Sequence, residues 1–506
     1  MSVVFSTRAR WRGKRPLLAL LQGLFTVALT LLGLLLITFA LSALSPVDRV
    51  LQIVGDHASQ STYDQVRHQL GLDQPLAVQF WHYLMNLAHG DLGIASSTGQ
   101  PVLQDLLSAF PATIELATLA LIVGAVVGVI AGVLCARYVG SPLDFTVRTL
   151  TLLGNSVPVF WLGLLMLALF YARLQWSAGP GRLDDIYQFT IEPRSGFALI
   201  DTWLSGDREA FTNAINHLIL PVLLLAYFSL ASITRLTRSA CLGEMNKEYI
   251  LLARAKGASE MTILLRHVLP NIRGTLLTVI ALAYTSMLEG AVLTETVFSW
   301  PGIGRYLTTA LFAGDTTAIM GGTLLIGILA GYYGGWLERV LMRFTDVVMS
   351  MPRLILAFAF VAMLGPGLVN GALALALTTW PAYARQARSE IQRLRHSDYL
   401  AAAEMMGIRG RRLLAGHILP LCLPSAIVRL ALDLAGIILA AAGLGFLGLG
   451  ARPPMAEWGA MIADGMQVIF DQWWIAAAPG AIILIASLAF NLLGDGLRDV
   501  LEPQHD

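Results

Sequence analysis

The feature that most constrains this chain is a series of long stretches with few or no charged side chains. A helix needs about 20 apolar residues to cross about 30 Å of hydrocarbon. Stretches near that length predict about ten transmembrane helices, at 17–44, 116–136, 149–172, 218–234, 274–288, 316–337, 347–364, 368–384, 426–446 and 474–493. Because only 13% of the 506 residues are charged, a soluble enzyme, a disordered protein and a nucleic-acid-binding protein are disfavoured. The predicted fold class is all-α, a polytopic membrane protein.

The distribution of Lys and Arg predicts how the spans are oriented, because these residues accumulate in cytoplasmic loops. Segments 235–273 and 385–412 each carry seven basic and three acidic residues, whereas 45–111 carries two Arg and six Asp. An even number of spans leaves both termini on the same side. We therefore expect a multi-pass protein of the bacterial inner membrane, with cytoplasmic termini (residues 1–16 at the N-terminus) and with periplasmic segments at 45–111 and 173–217.

The two basic segments repeat each other. A shift of 150 residues superposes two copies of the pattern Tyr-x7-Gly-x9-His-x-Leu-Pro. The matched residues are Tyr249, Ala253, Gly257, Leu269 and Pro270 in the first copy, and Tyr399, Ala403, Gly407, Leu419 and Pro420 in the second. Such internal symmetry is typical of transporters that are built from related halves.

Each repeated segment predicts a helix–turn–helix at the membrane surface. Gly257 and Gly407 suit the left-handed turn that ends a short helix, where a Cβ would be strained. Pro270 and Pro420 suit the start of the next span. The segments could be plain connectors, but their amphipathic stretches favour a surface on which a partner docks.

These residues resemble the EAA loops of ABC-importer permeases, whose typical pattern is Glu-Ala-Ala-x3-Gly-x9-Ile-x-Leu-Pro. The Glu position is Leu251 or Ala401 here, and the Ile position is His in both copies. These departures are similar to the dipeptide/oligopeptide/nickel branch. Motifs such as Leu70-Gly71-Leu72-Asp73-Gln74-Pro75 and Asn491-Leu492-Leu493-Gly494-Asp495-Gly496 extend the resemblance over nearly the whole chain.

The resemblance implies two permease subunits of ABC type I importers, fused head to tail with a deletion at the seam. The first half would cover 17–325 with coupling loop 235–273. The second half, at 326–506 with coupling loop 385–424, lacks its first span. Only three Lys occur, and none lies in a phosphate-binding loop. ATP-Mg would therefore bind two separate ABC ATPase subunits, and this chain would be a transporter permease with no catalytic residue and no cofactor of its own. A periplasmic substrate-binding protein and membrane lipid are the other implied partners, and a second permease copy is left open.

Charged residues inside spans are costly and are therefore functional candidates. Glu289 and Glu295 end the fifth span, where they would either line a substrate pathway or simply reach the interface. Arg429 and Asp433 are spaced to pair with one another, and Arg353 is expected to reach the cytoplasmic interface. His267 and His417 have no second ligand at metal-binding spacing, so no metal site is predicted.

The predicted function is the permease component of an ATP-driven importer for dipeptides, oligopeptides or related solutes. An ion-gradient-driven secondary transporter is the main alternative, but it predicts buried acids near the bilayer midplane of both halves. A transport-impaired fusion is the other alternative, because the seam removes a span. An intramembrane enzyme is disfavoured by the absence of a catalytic motif.

Overall fold

The computed structural model describes residues 49–312, 353–394 and 419–501, apart from 56–58, 70, 96 and 452–454, together with Leu32, Leu35, Leu36 and Phe39. All regular structure in these ranges is helical, and the one β-bridge joins Ile94 to Pro101. The predicted span 316–337, with the seam, lies outside the described residues, as do 395–418 of the second basic segment.

We number the helices of these ranges in chain order. The helices before residue 200 are α1 (Arg49–Val54), α2 (Gln60–Gln69), α3 (Leu76–Ala88), α4 (Val102–Arg137), α5 (Pro142–Ser156), α6 (Val159–Met166, continued as a π-helix over Leu167–Arg173), α7 (Asp185–Thr190) and α8 (Ala198–Ser205). The next are α9 (Arg208–Met245), α10 (Glu248–Ala255), α11 (Glu260–Ile263, continued as a π-helix over Leu264–Val268), α12 (Leu269–Val297) and α13 (Ile303–Phe312). The last are α14 (Arg353–Leu364), α15 (Leu368–Leu394), α16 (Leu419–Phe446), α17 (Trp458–Met466) and α18 (Trp474–Leu501).

Several helices are longer than the spans that hydropathy predicts. Within the described ranges, five helices are long and apolar enough to cross a membrane. α4 begins at Val102 and α9 at Arg208, so both extend into segments predicted to be periplasmic. The start of α9 is stabilised by Asp207, whose carboxylate accepts the backbone N–H groups of Glu209 and Ala210. A hydropathy profile misses these extensions because it detects only apolar residues, whereas these helices continue through polar ones.

The predicted span at 149–172 is broken by a bend. The chain bends by 105° between α5 and the unit formed by α6 and its π-helical continuation. The break lies at Val157-Pro158, where Val157 is extended with φ −83° and ψ 132°. A proline disfavours helical geometry in the residue before it and lacks the N–H that a continuing helix would donate. The bend points α6 toward the second half of the molecule.

Small residues let α4 and α9 pack closely. Gly124, Gly128 and Gly132 recur every four residues along α4 and face Ser229, Ile233 and Thr237 of α9. Small residues at this spacing allow the backbones of two membrane helices to approach each other closely. This pair forms the scaffold of the first half.

Aromatic and polar contacts join the two halves. The Phe160 and Phe446 rings stack with centroids 4.6 Å apart. The indole Nε1 of Trp161 donates to the carbonyl of Ala476 at 3.1 Å, although the two residues are 315 positions apart in sequence. The halves therefore share one apolar core, in which α6 packs against α16 and α18.

The 150-residue repeat is visible in the helix bounds. α12 ends at Val297 and α16 at Phe446, 149 residues further on, and each is followed by a shorter helix, α13 or α17. Pro270 lies in the first turn of α12. Because α11 and its π-helical turn lead directly into α12, the helical path is continuous from Glu260 through Pro270.

Candidate coupling surface and central cavity

The first basic segment forms the predicted helix–turn–helix, which we call the elbow (residues 248–268). α10 ends at Ala255, and Gly257 follows with φ +82°. This left-handed conformation is strained for any residue with a Cβ. The hydroxyl of Ser259 then caps α11 by accepting the N–H of Thr262 at 3.3 Å. The local sequence thus encodes both the turn and the start of the second arm.

Tyr249 joins the elbow to α9 and α12, the helices on either side of it. Its hydroxyl donates to Glu244 Oε1 at 2.6 Å and accepts from Asn271 Nδ2 at 2.8 Å. Burial and the neighbouring Glu244 carboxylate raise the pKa of Tyr249 above its ordinary value, so the hydroxyl keeps its proton. Arg254 of the first arm also donates to Glu260 of the second arm at 2.7 Å. These contacts fix the first elbow against the helices that flank it.

One face of the elbow is buried and the other is open. Ile250, Ile263, Leu264 and Val268 are fully buried against the ends of α4 and α9. Four large apolar side chains on the other face are exposed, namely Leu251, Leu252, Met261 and Leu265. Ala253 and Leu269 are half-buried, and Pro270 is exposed. Four large apolar side chains exposed within so short a segment are typical of an interaction surface.

The second copy of the pattern can be followed only in part. Tyr399, Ala403 and Gly407 lie outside the described residues, whereas Leu419 and Pro420 lie in α16. Under the 150-residue shift these two residues match Leu269 and Pro270, which lie in α12.

A cavity of about 420 Å³ lies between the two halves. Its walls come from α5, α6, α9 and α12 of the first half and from α14 and α16 of the second. The polar groups on these walls are Asn155, Ser229, Ser232, Ser286 and Arg353. Arg353 is the one charged residue among the described lining residues. The sequence predicted that Arg353 reaches the cytoplasmic interface. The structure places Arg353 on the wall of this cavity, which could not be predicted from hydropathy.

The two acidic pathway candidates lie on α12. The side chain of Glu289 is outside the described part of the structure. Glu295 is completely buried, and its carboxylate accepts from Thr113 Oγ1 at 2.6 Å and from the backbone N–H of Arg305 at 3.0 Å. A pathway role stays a prediction for both residues, while these contacts give Glu295 a structural link between α4 and the start of α13.

A second buried carboxylate was missed by sequence reasoning. Glu115 of α4 accepts from Arg182 Nε at 3.2 Å and from the backbone N–H of Leu199 at 2.9 Å. The Arg182 guanidinium lies 5.7 Å from the ring centroid of the buried Trp300. Glu115 lies just before the predicted span 116–136, and no sequence signal identifies Arg182 as its partner.

The second half contains a comparable carboxylate, which the sequence also did not single out. Glu457, just before α17, accepts the backbone N–H of Ala451 at 2.7 Å. Any side chain at Gly445 or Gly450 would collide with this carboxylate. Under the 150-residue shift, Gly445 is the counterpart of Glu295. The second half therefore has no acid at the matching position, but the carboxylate of Glu457 lies beside it. Partial burial raises the pKa of Glu457.

The paired charges on α16 agree with their spacing. Arg429 Nε donates to Asp433 at 2.8 Å, as the i,i+4 interval predicts.

In the ranges that the structure describes, no group of three or more His, Cys, Asp and Glu side chains is arranged to hold a metal ion. The carbonyl of His267 accepts from Asn271 Nδ2 at 2.7 Å.

Comparison with known proteins matches almost the whole chain. The family model described as "Binding-protein-dependent transport system inner membrane component" matches residues 128–328 and again 323–505. The N-terminal model of such membrane components matches 17–117. The two copies meet close to the seam predicted at 325 and 326.

Three relatives illustrate the similarity. The probable D,D-dipeptide transport system permease protein DdpB of Escherichia coli is 44% identical over 308 residues, which cover 60% of this chain and 89% of DdpB. The di/tripeptide transport system permease protein DppB of Pseudomonas aeruginosa is 42% identical over 301 residues, 59% of this chain and 89% of DppB. The probable D,D-dipeptide permease DdpC of E. coli is 42% identical over 217 residues, 41% of this chain and 73% of DdpC. The chain therefore belongs to the family of inner-membrane components of binding-protein-dependent transport systems, and it carries the family domain twice, as a fused pair of ABC-importer permeases.

Proposed function

We propose that this permease carries dipeptides or short oligopeptides inward through the cavity between its two halves. The observation that carries the proposal is that both copies of the family domain line one cavity of about 420 Å³. This volume is in the range of about 300–1,000 Å³ that is usual for small-molecule sites. The relatives named as dipeptide and di/tripeptide permeases support peptides as the substrate class.

Energy for transport would come from two ABC ATPase subunits that bind ATP-Mg and dock on the coupling loops. The exposed apolar face of the elbow is a suitable contact, because its other face is anchored on α4 and α9. Movement of the elbow would therefore be transmitted to the helices that line the cavity. In this proposal Tyr249, Ala253, Gly257, Leu269 and Pro270 shape the first loop. The corresponding residues Tyr399, Ala403, Gly407, Leu419 and Pro420 shape the second.

The proposed topology has both termini in the cytoplasm of a bacterial cell and coupling loops 235–273 and 385–424 on that side. The halves are 17–325 and 326–506, and periplasmic segments 45–111 and 173–217 face a substrate-binding protein. The contacts of Glu115, Arg182 and Glu295 support this arrangement, because they join α4, the 173–217 segment and α12 at the end opposite the elbow. Glu289 and Glu295 remain the proposed pathway acids.

Uptake by proteoliposomes tests the proposal directly. The full chain would be reconstituted with its ATPase subunits and binding protein, and entry of a radiolabelled dipeptide would be followed with and without ATP. We expect uptake that requires ATP and the binding protein. Uptake that follows an imposed proton or sodium gradient without the ATPase would instead favour a secondary transporter. ATP hydrolysis without uptake would identify a transport-impaired fusion.

Replacement of the turn glycine tests the coupling surface. A Gly257→Val substitution places a Cβ at φ +82°, which costs about 1–2 kcal/mol in local strain. We expect weaker co-purification of the ATPase subunits and slower uptake, most strongly when Gly407→Val is added. Gly243→Ala is the matched control, because nothing lies within 4 Å of the added Cβ. Normal ATPase association in the double variant would contradict the docking assignment.

A further inference from the structure

A second cavity, of about 430 Å³, lies where α5 and α9 of the first half meet the end of α18. We call it the basic cavity. Its charged and amide lining residues are Arg148, Asn155, Arg235, Arg238 and Asp495. The hydroxyl residues Thr149, Thr151, Thr234 and Ser239 complete its polar walls. The central cavity lies beyond Asn155, which lines both.

The arginines of the basic cavity differ in what they bind. Arg238 is engaged by the buried Asp144, to which its Nε and Nη2 donate at 2.8 and 2.9 Å. Arg148 and Arg235 are exposed, and neither forms an ion pair within the part of the chain that the structure describes. Asp495 is also exposed and makes no ion pair there. With Arg238 and Asp144 neutralising each other, the lining residues that the structure describes carry a net charge of +1 (Arg148 and Arg235 against Asp495).

The position of the basic cavity relates it to the membrane. It lies at the end of α4 and α9 that carries the elbow, because Cys135 and Arg238 line it and the elbow packs on Ala136 and Cys241. This end is the predicted cytoplasmic end. Apolar side chains of α5 are exposed at the same place: Phe145, which lines the cavity, is 71% exposed and Leu150 is 50% exposed. A polar recess with an apolar, outward-facing edge suits a ligand whose charged group is attached to hydrocarbon.

We propose that the basic cavity binds a phosphate anion, held between the guanidinium groups of Arg148 and Arg235. A guanidinium offers a planar fork of donors that matches phosphate oxygens. Basic pockets between transmembrane helices on the cytoplasmic side bind the headgroups of anionic lipids. The exposed Phe145 and Leu150 would contact the acyl chains of such a lipid. Asp495 of the second half also lines the cavity, and its carboxylate would repel the bound phosphate and weaken binding.

The test uses the full chain, purified in detergent and freed of bound lipid. Phosphatidylglycerol, phosphatidylcholine and inorganic phosphate are titrated separately, and binding is counted by native mass spectrometry for the lipids and by calorimetry for phosphate. We expect phosphatidylglycerol to bind more tightly than phosphatidylcholine. An R148Q/R235Q double variant should bind phosphatidylglycerol about thirtyfold more weakly, since each basic residue near a membrane surface contributes about 1 kcal/mol.

Two further variants separate a local effect from a general loss of structure. Arg208→Gln removes a charge at the opposite end of α9 and should leave lipid binding unchanged. Asp495→Asn removes the negative group of the cavity and should tighten binding, a result that misfolding cannot produce.

The outcomes distinguish the source of the phosphate as well as the site. If inorganic phosphate displaces phosphatidylglycerol at similar concentration, free phosphate is the ligand. If phosphate has no effect while the lipid binds, the headgroup is the ligand. Equal binding of both lipids by the wild-type chain, unchanged lipid binding in R148Q/R235Q, or weaker binding in D495N would overturn the proposal.

Discussion

The packing of α4 on α9 predicts that Gly132→Ala destabilises the protein. A Cβ built on Gly132 would lie 2.7 Å from Thr237 Cβ and 2.8 Å from the carbonyl oxygen of Thr234. Real Cβ atoms do not approach other heavy atoms so closely. The second of these neighbours belongs to the backbone of α9, so a change of rotamer cannot relieve the clash and the two helices must move apart.

The expected magnitude follows from two opposing effects. Overpacking a core position costs about 1–3 kcal/mol, and the backbone clash places Gly132→Ala in the upper part of that range. Alanine is better than glycine in a helix by about 1 kcal/mol, which offsets part of the cost. We therefore expect the free energy of unfolding to fall by about 2 kcal/mol.

The matched control is Gly243→Ala in α9. Nothing lies within 4 Å of the added Cβ at this position, so the substitution should leave the free energy of unfolding unchanged or raise it by about 1 kcal/mol. Unfolding of the purified chain by sodium dodecyl sulfate, followed by circular dichroism, measures both variants. If Gly132→Ala were as stable as Gly243→Ala, the close approach of α4 and α9 would be wrong.

Two buried carboxylates, Glu295 and Glu115, and the half-buried Glu457 provide further predictions. Glu295→Ala leaves the Thr113 hydroxyl and the Arg305 amide without their acceptor and should lower the free energy of unfolding by about 1–3 kcal/mol, whereas a thermal unfolding midpoint equal to wild type would exclude this link. Arg182→Met leaves Glu115 buried without its cation and should cost about 3–5 kcal/mol; a Glu115→Gln/Arg182→Met double variant should recover part of that loss, and no recovery would refute the pairing. For Glu457 the folded-state pKa is raised, so the folded protein holds this proton at a pH where the unfolded chain has lost it. Its contribution to stability is therefore lost as the pH rises from the unfolded pKa through the folded one. Glu457→Gln should raise the unfolding midpoint at pH 8 and have little effect near pH 4, and an equal shift at both pH values would contradict the assigned burial.

The candidate coupling surface was largely predictable because its determinants are local. The positive φ of Gly257 and the cap formed by Ser259 depend on residues only a few positions apart. The pair Arg429 and Asp433 was predictable for the same reason, since i,i+4 neighbours meet on one face of any helix. The bend at Pro158 was missed, although the proline is present in the sequence. The hydropathy of residues 149–172 shows that the segment is apolar, but it does not show that the helix axis changes direction.

By itself, the sequence determined that this chain is an all-helical membrane protein with a repeated basic elbow, and comparison confirmed two copies of one transport domain. Hydropathy, charge asymmetry and the 150-residue repeat are properties of the linear sequence, so each can be recognised without knowledge of the fold. None of these properties predicts that Arg182 neutralises Glu115 or that Glu295 accepts from Thr113, 182 positions away in sequence, and the tertiary structure shows both contacts. It also brought Arg353 to the central cavity and Asp495 to the basic cavity. These contacts depend on how distant helices pack, because the partner of a buried charge is the group that packing brings within hydrogen-bonding distance.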